Sequence, residues 1–175
     1  MRKLKLDELN RLSVEEFQNS AKNNFCLILD DIRSMNNVGS AFRTADAFLA
    51  EKVYLCGITG TPPHREIEKT ALGATDSVNW EYVADVTQLV ADLQKNGWIV
   101  VAVEQVEGST KLNEFEPIPE QKYAFVFGNE VFGVNENIVN TANICLEIPQ
   151  FGTKHSLNIS VSLGIICWDF VNKSM

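Results

Sequence analysis

Short apolar runs alternate along this chain with longer stretches in which apolar residues recur every three or four positions. The runs Phe25–Leu29, Lys52–Cys56, Val78–Tyr82, Trp98–Val103, Tyr123–Phe127 and Ile144–Ile148 are short and rich in β-branched or aromatic residues, which predicts strands. The stretches Val38–Leu49, His64–Ala71, Val86–Lys95, Asn135–Thr141 and Leu157–Asn172 carry the helical period. Asn96-Gly97 stops the third of them. Residues 7–22 read as one short helix with Leu9, Leu12 and Phe17 on one side. Strands separated by helices predict an α/β fold, a mostly parallel sheet covered by helices on both faces. We divide the chain into a helical extension, residues 1–24, and one domain, residues 25–175.

Two helices carry more than the fold requires. Val38, Phe42, Ala45 and Leu49 form one apolar stripe, and Arg43 falls off it, one turn beyond Gly39. Gly39 is expected to leave room beside Arg43, and Asn37 to cap the helix. A surface ion pair is the plain structural role open to Arg43. In the last helix, Leu157, Val161, Gly164, Trp168 and Val171 form one apolar face, and Ile159, Leu163, Ile166 and Phe170 the opposite one. Covering a sheet needs only one such face. The second is buried either deep within the domain or against another subunit.

Composition narrows the setting. The chain has 175 residues, 45% of them hydrophobic and 22% charged, as in ordinary globular domains. No apolar run is long enough to span a membrane, and the first residues lack the apolar centre of a signal peptide, so a cytoplasmic protein is expected. Cys26, Cys56, Cys145 and Cys167 are widely spaced and read as buried free thiols. With only two histidines, His64 and His155, no metal site is expected. The net charge of −8 argues against binding nucleic acid by bulk electrostatics. Any such contact must use local cations, from Arg2, Lys3, Lys5, Arg33, Arg43, Arg65, Lys69 and Lys154. The N-terminal ones serve equally as a solvated helix start.

Familiar sites are absent. There is no Gly-x-Gly-x-x-Gly, no complete P-loop before Gly152-Thr153-Lys154 and no His-Glu-x-x-His. A hydrolase using Ser156 would lack its Gly-x-Ser-x-Gly elbow. What remains is three polar, glycine-bearing loops: Asn36 to Thr44, Phe127 to Gly133 and Ile148 to Asn158. Gly128 follows a strand directly, where it would let a ligand approach the backbone. Asn129 and Glu130 add an amide and a carboxylate, although a tight turn explains them as well. Pro149 ends a strand, and Ser156 is placed to cap the last helix.

Asn-x-Gly-x-x-x-Arg-Thr from Asn37, Ala71-Leu-Gly-Ala74, Gly128-Asn-Glu130 and Ser156-Leu-Asn158, in this order, resemble the motifs of the SpoU (TrmH-like) branch of the SPOUT RNA methyltransferases. The resemblance runs from about Leu27 to Phe170. It implies a C-terminal trefoil knot and a homodimer joined through the last helix. It also implies methyl transfer from S-adenosylmethionine to a ribose 2'-hydroxyl of tRNA or rRNA. Cofactor contacts fall on Val103, Glu104, Gly128, Ile148 and Leu157. Arg43, Asn37, Glu130, Ser156 and Asn158 match the polar catalytic positions. Deprotonating an arginine at pH 7 costs roughly 7–9 kcal/mol, so Arg43 is expected to act as a fixed cation on developing alkoxide charge or a neighbouring phosphate. A non-catalytic RNA- or partner-binding module on the same fold is the alternative.

Overall fold

A computed structural model describes the backbone of residues 1–175 and every side chain except those of Leu6 and Asp7. A 3-10 turn at Leu6–Leu9 precedes α1 (Val14–Asn19), β1 (Asn23–Asp30), α2 (Met35–Ala47) and β2 (Ala50–Cys56). Then come α3 (Arg65–Ala71), α4 (Ala74–Ser77), β3 (Trp80–Val83), α5 (Val86–Lys95) and β4 (Ile99–Val103). The two-residue β5 (Thr110–Lys111) leads to β6 (Tyr123–Phe127), α6 (Glu136–Thr141), β7 (Ile144–Glu147) and α7 (Ile159–Ser174).

The strands form one sheet in the order β3-β2-β1-β6-β4-β7-β5, with every pairing parallel. Leu27 lies opposite Val53 on one side and Phe125 on the other. Alternation along β1 sends Phe25, Leu27 and Leu29 to one face, where α2, α3 and α7 pack. Cys26 and Ile28 go to the other, under α5 and α6. Phe170 of α7 meets Phe25, Tyr123 and Phe125 edge-on, with ring centroids 5.3–5.4 Å apart. In a parallel sheet all strand ends of one kind lie at one edge. The loops after β1, β4, β6 and β7 therefore meet there.

Several boundaries differ from expectation. Residues 7–22 are not one helix, and of the three apolar residues expected on one side Phe17 is buried while Leu9 and Leu12 stay exposed. Ser13 caps α1 and its box with Glu16 sets the helix start. Ser34, not Asn37, caps α2, so that helix starts three residues early. Asn158, not Ser156, caps α7, accepting from the Ser160 N–H at 2.8 Å. α4 and β5 are too short to leave a periodic signal. Burial keeps Cys26 and Cys167 as thiols, their pKa values pushed well above the ordinary range.

Candidate active site

An open cleft of about 320 Å³ lies across the carboxyl ends of β4, β6 and β7. Seven of the ten site residues expected from sequence line it: Val103, Glu104, Gly128, Glu130, Ile148, Ser156 and Leu157. Its walls carry three carboxylates, Glu104, Glu130 and Glu147, and no lysine or arginine. Such a cleft favours a ligand with positive charge.

One wall is the loop after β6, and Glu130 ties it to the loop after β1. The Glu130 carboxylate accepts from the backbone N–H of Arg33 at 2.9 Å and of Ser34 at 3.0 Å, and from Asn37 Nδ2 at 3.1 Å. It therefore sits at the amino end of α2, where a helix favours negative charge. Partial burial opposes ionisation, but the N–H groups of Arg33, Ser34 and Glu130 itself and the Asn37 amide outweigh it. The carboxyl is held below the ordinary glutamate range. Asn37 is 8% exposed inside the helix, and this bond gives its buried amide a partner. The Asn129 side chain extends the tie, donating to the Asp31 carbonyl at 2.7 Å and accepting from the Val131 N–H at 2.9 Å.

Glu104 braces the same loop from β4. Its carboxylate accepts from the Val134 N–H and the Gln105 N–H, both at 2.9 Å. Gly128 is needed for the turn itself: a Cβ there would run into the backbone of Gly133 and Val134. The expectation that Gly128 chiefly leaves space for a ligand is corrected accordingly, since the chain already fills the space beside its Cα.

The opposite wall, residues 148–158, is different. Phe151 through Asn158 are all exposed, and a Cβ at Gly152 would meet nothing within 4 Å. Among the described residues, one hydrogen bond ties residues 149–157 to the body, from Gln105 Nε2 to the His155 carbonyl at 3.2 Å. Ser156 has no capping role and lines the cleft, whereas Asn158 does not line it and is occupied by its cap.

Arg43 also lies outside the cleft, exposed on α2, with no ion pair or hydrogen bond among the described residues. Gly39 does not leave room for it. A Cβ at Gly39 would strike the Ile67 carbonyl and the Thr70 side chain, so this glycine lets α2 and α3 pack closely. Sequence reasoning missed the structural weight of the Arg33 and Ser34 amides, because backbone donors leave no trace in residue type. It also missed Asp30, the buried last residue of β1, which reads as the polar end of a strand. No group of three potential metal ligands occurs among the described residues.

The α/β sheet with its ligand cleft at the strand ends now has a family. Residues 24–168 match the model of the SpoU rRNA Methylase family, and the chain belongs to that family. It is 28% identical over 176 residues to a Borreliella burgdorferi "uncharacterized tRNA/rRNA methyltransferase", covering 95% of this chain and 75% of that protein. It is 30% identical over 164 residues to the Neisseria meningitidis 23S rRNA (guanosine-2'-O-)-methyltransferase RlmB, covering 90% of this chain but 62% of that protein. The A. aeolicus TrmH/SpoU tRNA modifying enzyme superposes with a TM-score of 0.81 at 25% identity, over 91% of this chain and 80% of that one. An AdoMet-bound rRNA methyltransferase from Sinorhizobium meliloti does so at 0.78 and 26% identity, over 85% of this chain and 56% of that one.

Proposed function

We propose that this protein transfers a methyl group from S-adenosylmethionine to a ribose 2'-hydroxyl of tRNA or rRNA. The observation that carries the reading is the cleft: an apolar floor, three carboxylates and no basic residue, at the strand ends, lined by Gly128-Asn-Glu130 and by Ser156 and Leu157 of the family motifs. That set of acceptors suits a ligand bearing a sulfonium and an ammonium beside an adenine. Val103, Gly128, Ile148 and Leu157 would hold its apolar and planar parts through main chain and side chain, and Glu104 its polar edge. S-adenosylmethionine supplies a methyl group already activated by positive charge on sulfur, so the protein's task is positioning and charge management.

The Glu130–Asn37 bond fixes the amino end of α2 against the cleft wall. Ser156, at the rim, is placed to hydrogen-bond a ribose hydroxyl. Arg43 remains a cation without an internal partner, as an RNA-facing charge requires, and it acts on the developing alkoxide or an adjoining phosphate. Asn158 then serves by fixing the start of α7.

The protein works as a homodimer through the outer face of α7. Val161 and Trp168 are 48% and 55% exposed, while Leu163, Ile166 and Phe170 fill the core. Gly164, between the two exposed side chains, leaves open space for close approach. Trp168→Glu should dissociate the pair and Phe170→Glu should damage folding; a monomeric wild-type protein at micromolar concentration in sedimentation would contradict this. α7 packs on α2, which follows β1, although it leaves the sheet at β7. That return across β4 and β6 supports the trefoil knot. Among the described residues no helix is long and apolar enough to cross a membrane, and we place the protein in the cytoplasm, with residues 25–175 as the methyltransferase domain.

Single-turnover methylation of RNA, run beside cofactor titration, tests the reading. Arg43→Ala should lower turnover by about 10²–10³ with cofactor affinity unchanged, and Arg43→Lys should retain part of it because charge survives without the planar fork. An Arg43→Ala protein with near-normal turnover would remove Arg43 from the mechanism. Failure of the wild-type protein to methylate any RNA would overturn the assignment.

A further inference from the structure

Both cavities at the carboxyl edge of the sheet are acidic. The cleft carries three carboxylates, and a second cavity at the end of β1, of about 560 Å³, is lined by Asp30, Asp31 and Glu136; neither holds a lysine or arginine. An RNA strand is repelled by the very floor where its ribose must react, so its phosphates have to be held elsewhere.

The charge for that lies on α2 and α3. The two helices pack side by side: Thr70 Oγ1 donates to the Asn36 carbonyl at 3.0 Å, and Gly39 lies against Ile67, Thr70 and Ala71. That contact uses one side of α3 and leaves Arg65 and Lys69, one turn apart, exposed on another. Arg43 is exposed on the neighbouring α2, and Arg33 just ahead of it. Arg33, Arg43 and Arg65 take part in no ion pair among the described residues. Lys69 reaches Glu66 only at 3.9 Å, with its side chain 71% exposed, a contact of marginal value.

The carboxylates of the same segment are turned inward. Asp31 accepts from the Ile58 N–H at 2.9 Å, Asp46 from Ser77 Oγ at 2.6 Å and Glu68 from Thr75 Oγ1 at 2.8 Å. Internal bonds hold these acids while the cations stand in water. Elsewhere the sorting is absent: Lys52, Lys122 and Lys173 are each paired with a carboxylate. A chain of net charge −8 thus presents one face whose exposed charge is basic.

We propose that the α2–α3 face is the docking surface for the RNA backbone: Arg33 and Arg43 hold phosphates next to the reacting ribose, and Arg65 and Lys69 hold those that lead away from it. The inference rests on the ribose methyltransferase reading and adds to it the surface, outside the cleft, that grips the substrate. The Glu130 bonds to the Arg33 and Ser34 N–H groups join this face to the cleft wall, so a strand held on α2 and α3 is presented to the cofactor at a fixed position. Phosphate contacts of this kind position the strand and read no bases.

The test measures binding of sheared, end-labelled total RNA from a strain lacking the protein, across a range of salt. Four phosphate contacts predict a slope of log Kobs against log salt of about −3. Arg65→Gln combined with Lys69→Gln should weaken binding roughly 10- to 20-fold at physiological salt and flatten the slope by about 1.4. The loss in methylation should fall on KM for RNA, with kcat, cofactor affinity and thermal midpoint unchanged. Arg65→Lys combined with Lys69→Arg keeps both charges and should bind nearly as the wild type does. A folded double-Gln variant with wild-type affinity and slope would overturn the inference and leave the methyltransferase reading intact. A double-Gln variant with altered subunit association would assign the face to a second copy of the chain and overturn it too. The wild-type protein decides even where the variant fails to fold. Bound RNA should protect Lys69 from an amine-acetylating reagent and leave Lys95, exposed on α5 across the sheet, reactive. Equal protection of both lysines, or of neither, would overturn the inference; a wild-type protein that binds no RNA would overturn both readings.

Discussion

The two walls of the cleft are built on opposite principles. The loops after β1 and β6 are locked together: Glu130 takes three donors from the amino end of α2, and Glu104 and Asn129 tie down the rest. Across from them, residues 149–157 are held by one hydrogen bond among the described residues. The difference separates two tasks. A preorganised wall fixes geometry before the ligand arrives, so none of the binding free energy goes into ordering it. A wall with few internal bonds gains its bonds from the ligand, and so couples binding to closure.

Two glycines should show the largest contrast. Gly128→Val drives a branched side chain into the Gly133–Val134 backbone and should cost about 3 kcal/mol or more, or prevent folding. Gly152→Val meets nothing and should stay within about 0.5 kcal/mol of wild type in urea unfolding. Equal effects would erase the distinction between the walls. A smaller contrast separates Glu130→Ala from Ser156→Ala. The first leaves two backbone donors and a buried amide unpaired, at about 2–3 kcal/mol. The second removes a group with no partner in the fold and should change stability by less than about 0.5 kcal/mol.

Acid titration sharpens the comparison further, because two carboxyls near the braced wall, the exposed Glu130 and the buried Asp30, respond in opposite senses. Glu130 has a depressed folded-state pKa, so its contribution is complete above the unfolded value of 4.5 and is lost as pH falls through the lower folded value. Asp30 is raised from 3.8 to about 6, so the neutral acid is the better tolerated form. Its favourable contribution is complete below pH 3.8 and is lost as pH rises through about 6. Asp30→Asn should therefore be more stable than wild type at pH 8, on the order of 1–2 kcal/mol because water reaches the carboxylate from the cavity, with no gain below about pH 4. Thermal unfolding across pH 3–8 measures both; a wild-type protein more stable than Asp30→Asn at pH 8 would show that Asp30 has a partner within the fold.

Much of this arrangement was legible in the sequence, and the reasons it was or was not are physical. Strands such as Tyr123–Phe127, buried on both sides, read as continuous apolar runs, and the end of α5 was marked by Asn96-Gly97. One apolar face of α7 went into the core through Leu163, Ile166 and Phe170 and the other turned outward at Val161 and Trp168, but Leu157 precedes the helix and lines the cleft, and Val171 packs on the core. Helix starts were less legible. Ser34, Asn36 and Asn37 can all cap, as can Ser156 and Asn158, and only tertiary partners choose among them. Gly39 and Gly128 were noticed but misread, because sequence shows that a glycine is required without showing whether a ligand or the chain itself occupies the space. That Arg43 lies off the apolar stripe of α2 was legible; that it also lies outside the cleft depends on how α2 sits in the fold, which no local pattern encodes.

Hydrogen exchange with and without S-adenosylmethionine tests the central claim most directly. The cofactor should slow exchange strongly across residues 149–157 and at the ends of β4 and β6. It should leave the already bonded amides of Arg33, Ser34 and Val134 nearly unchanged. Unaltered exchange in residues 149–157 at saturating cofactor, or protection confined to other parts of the molecule, would contradict a cofactor cleft with one prebuilt wall and one that closes.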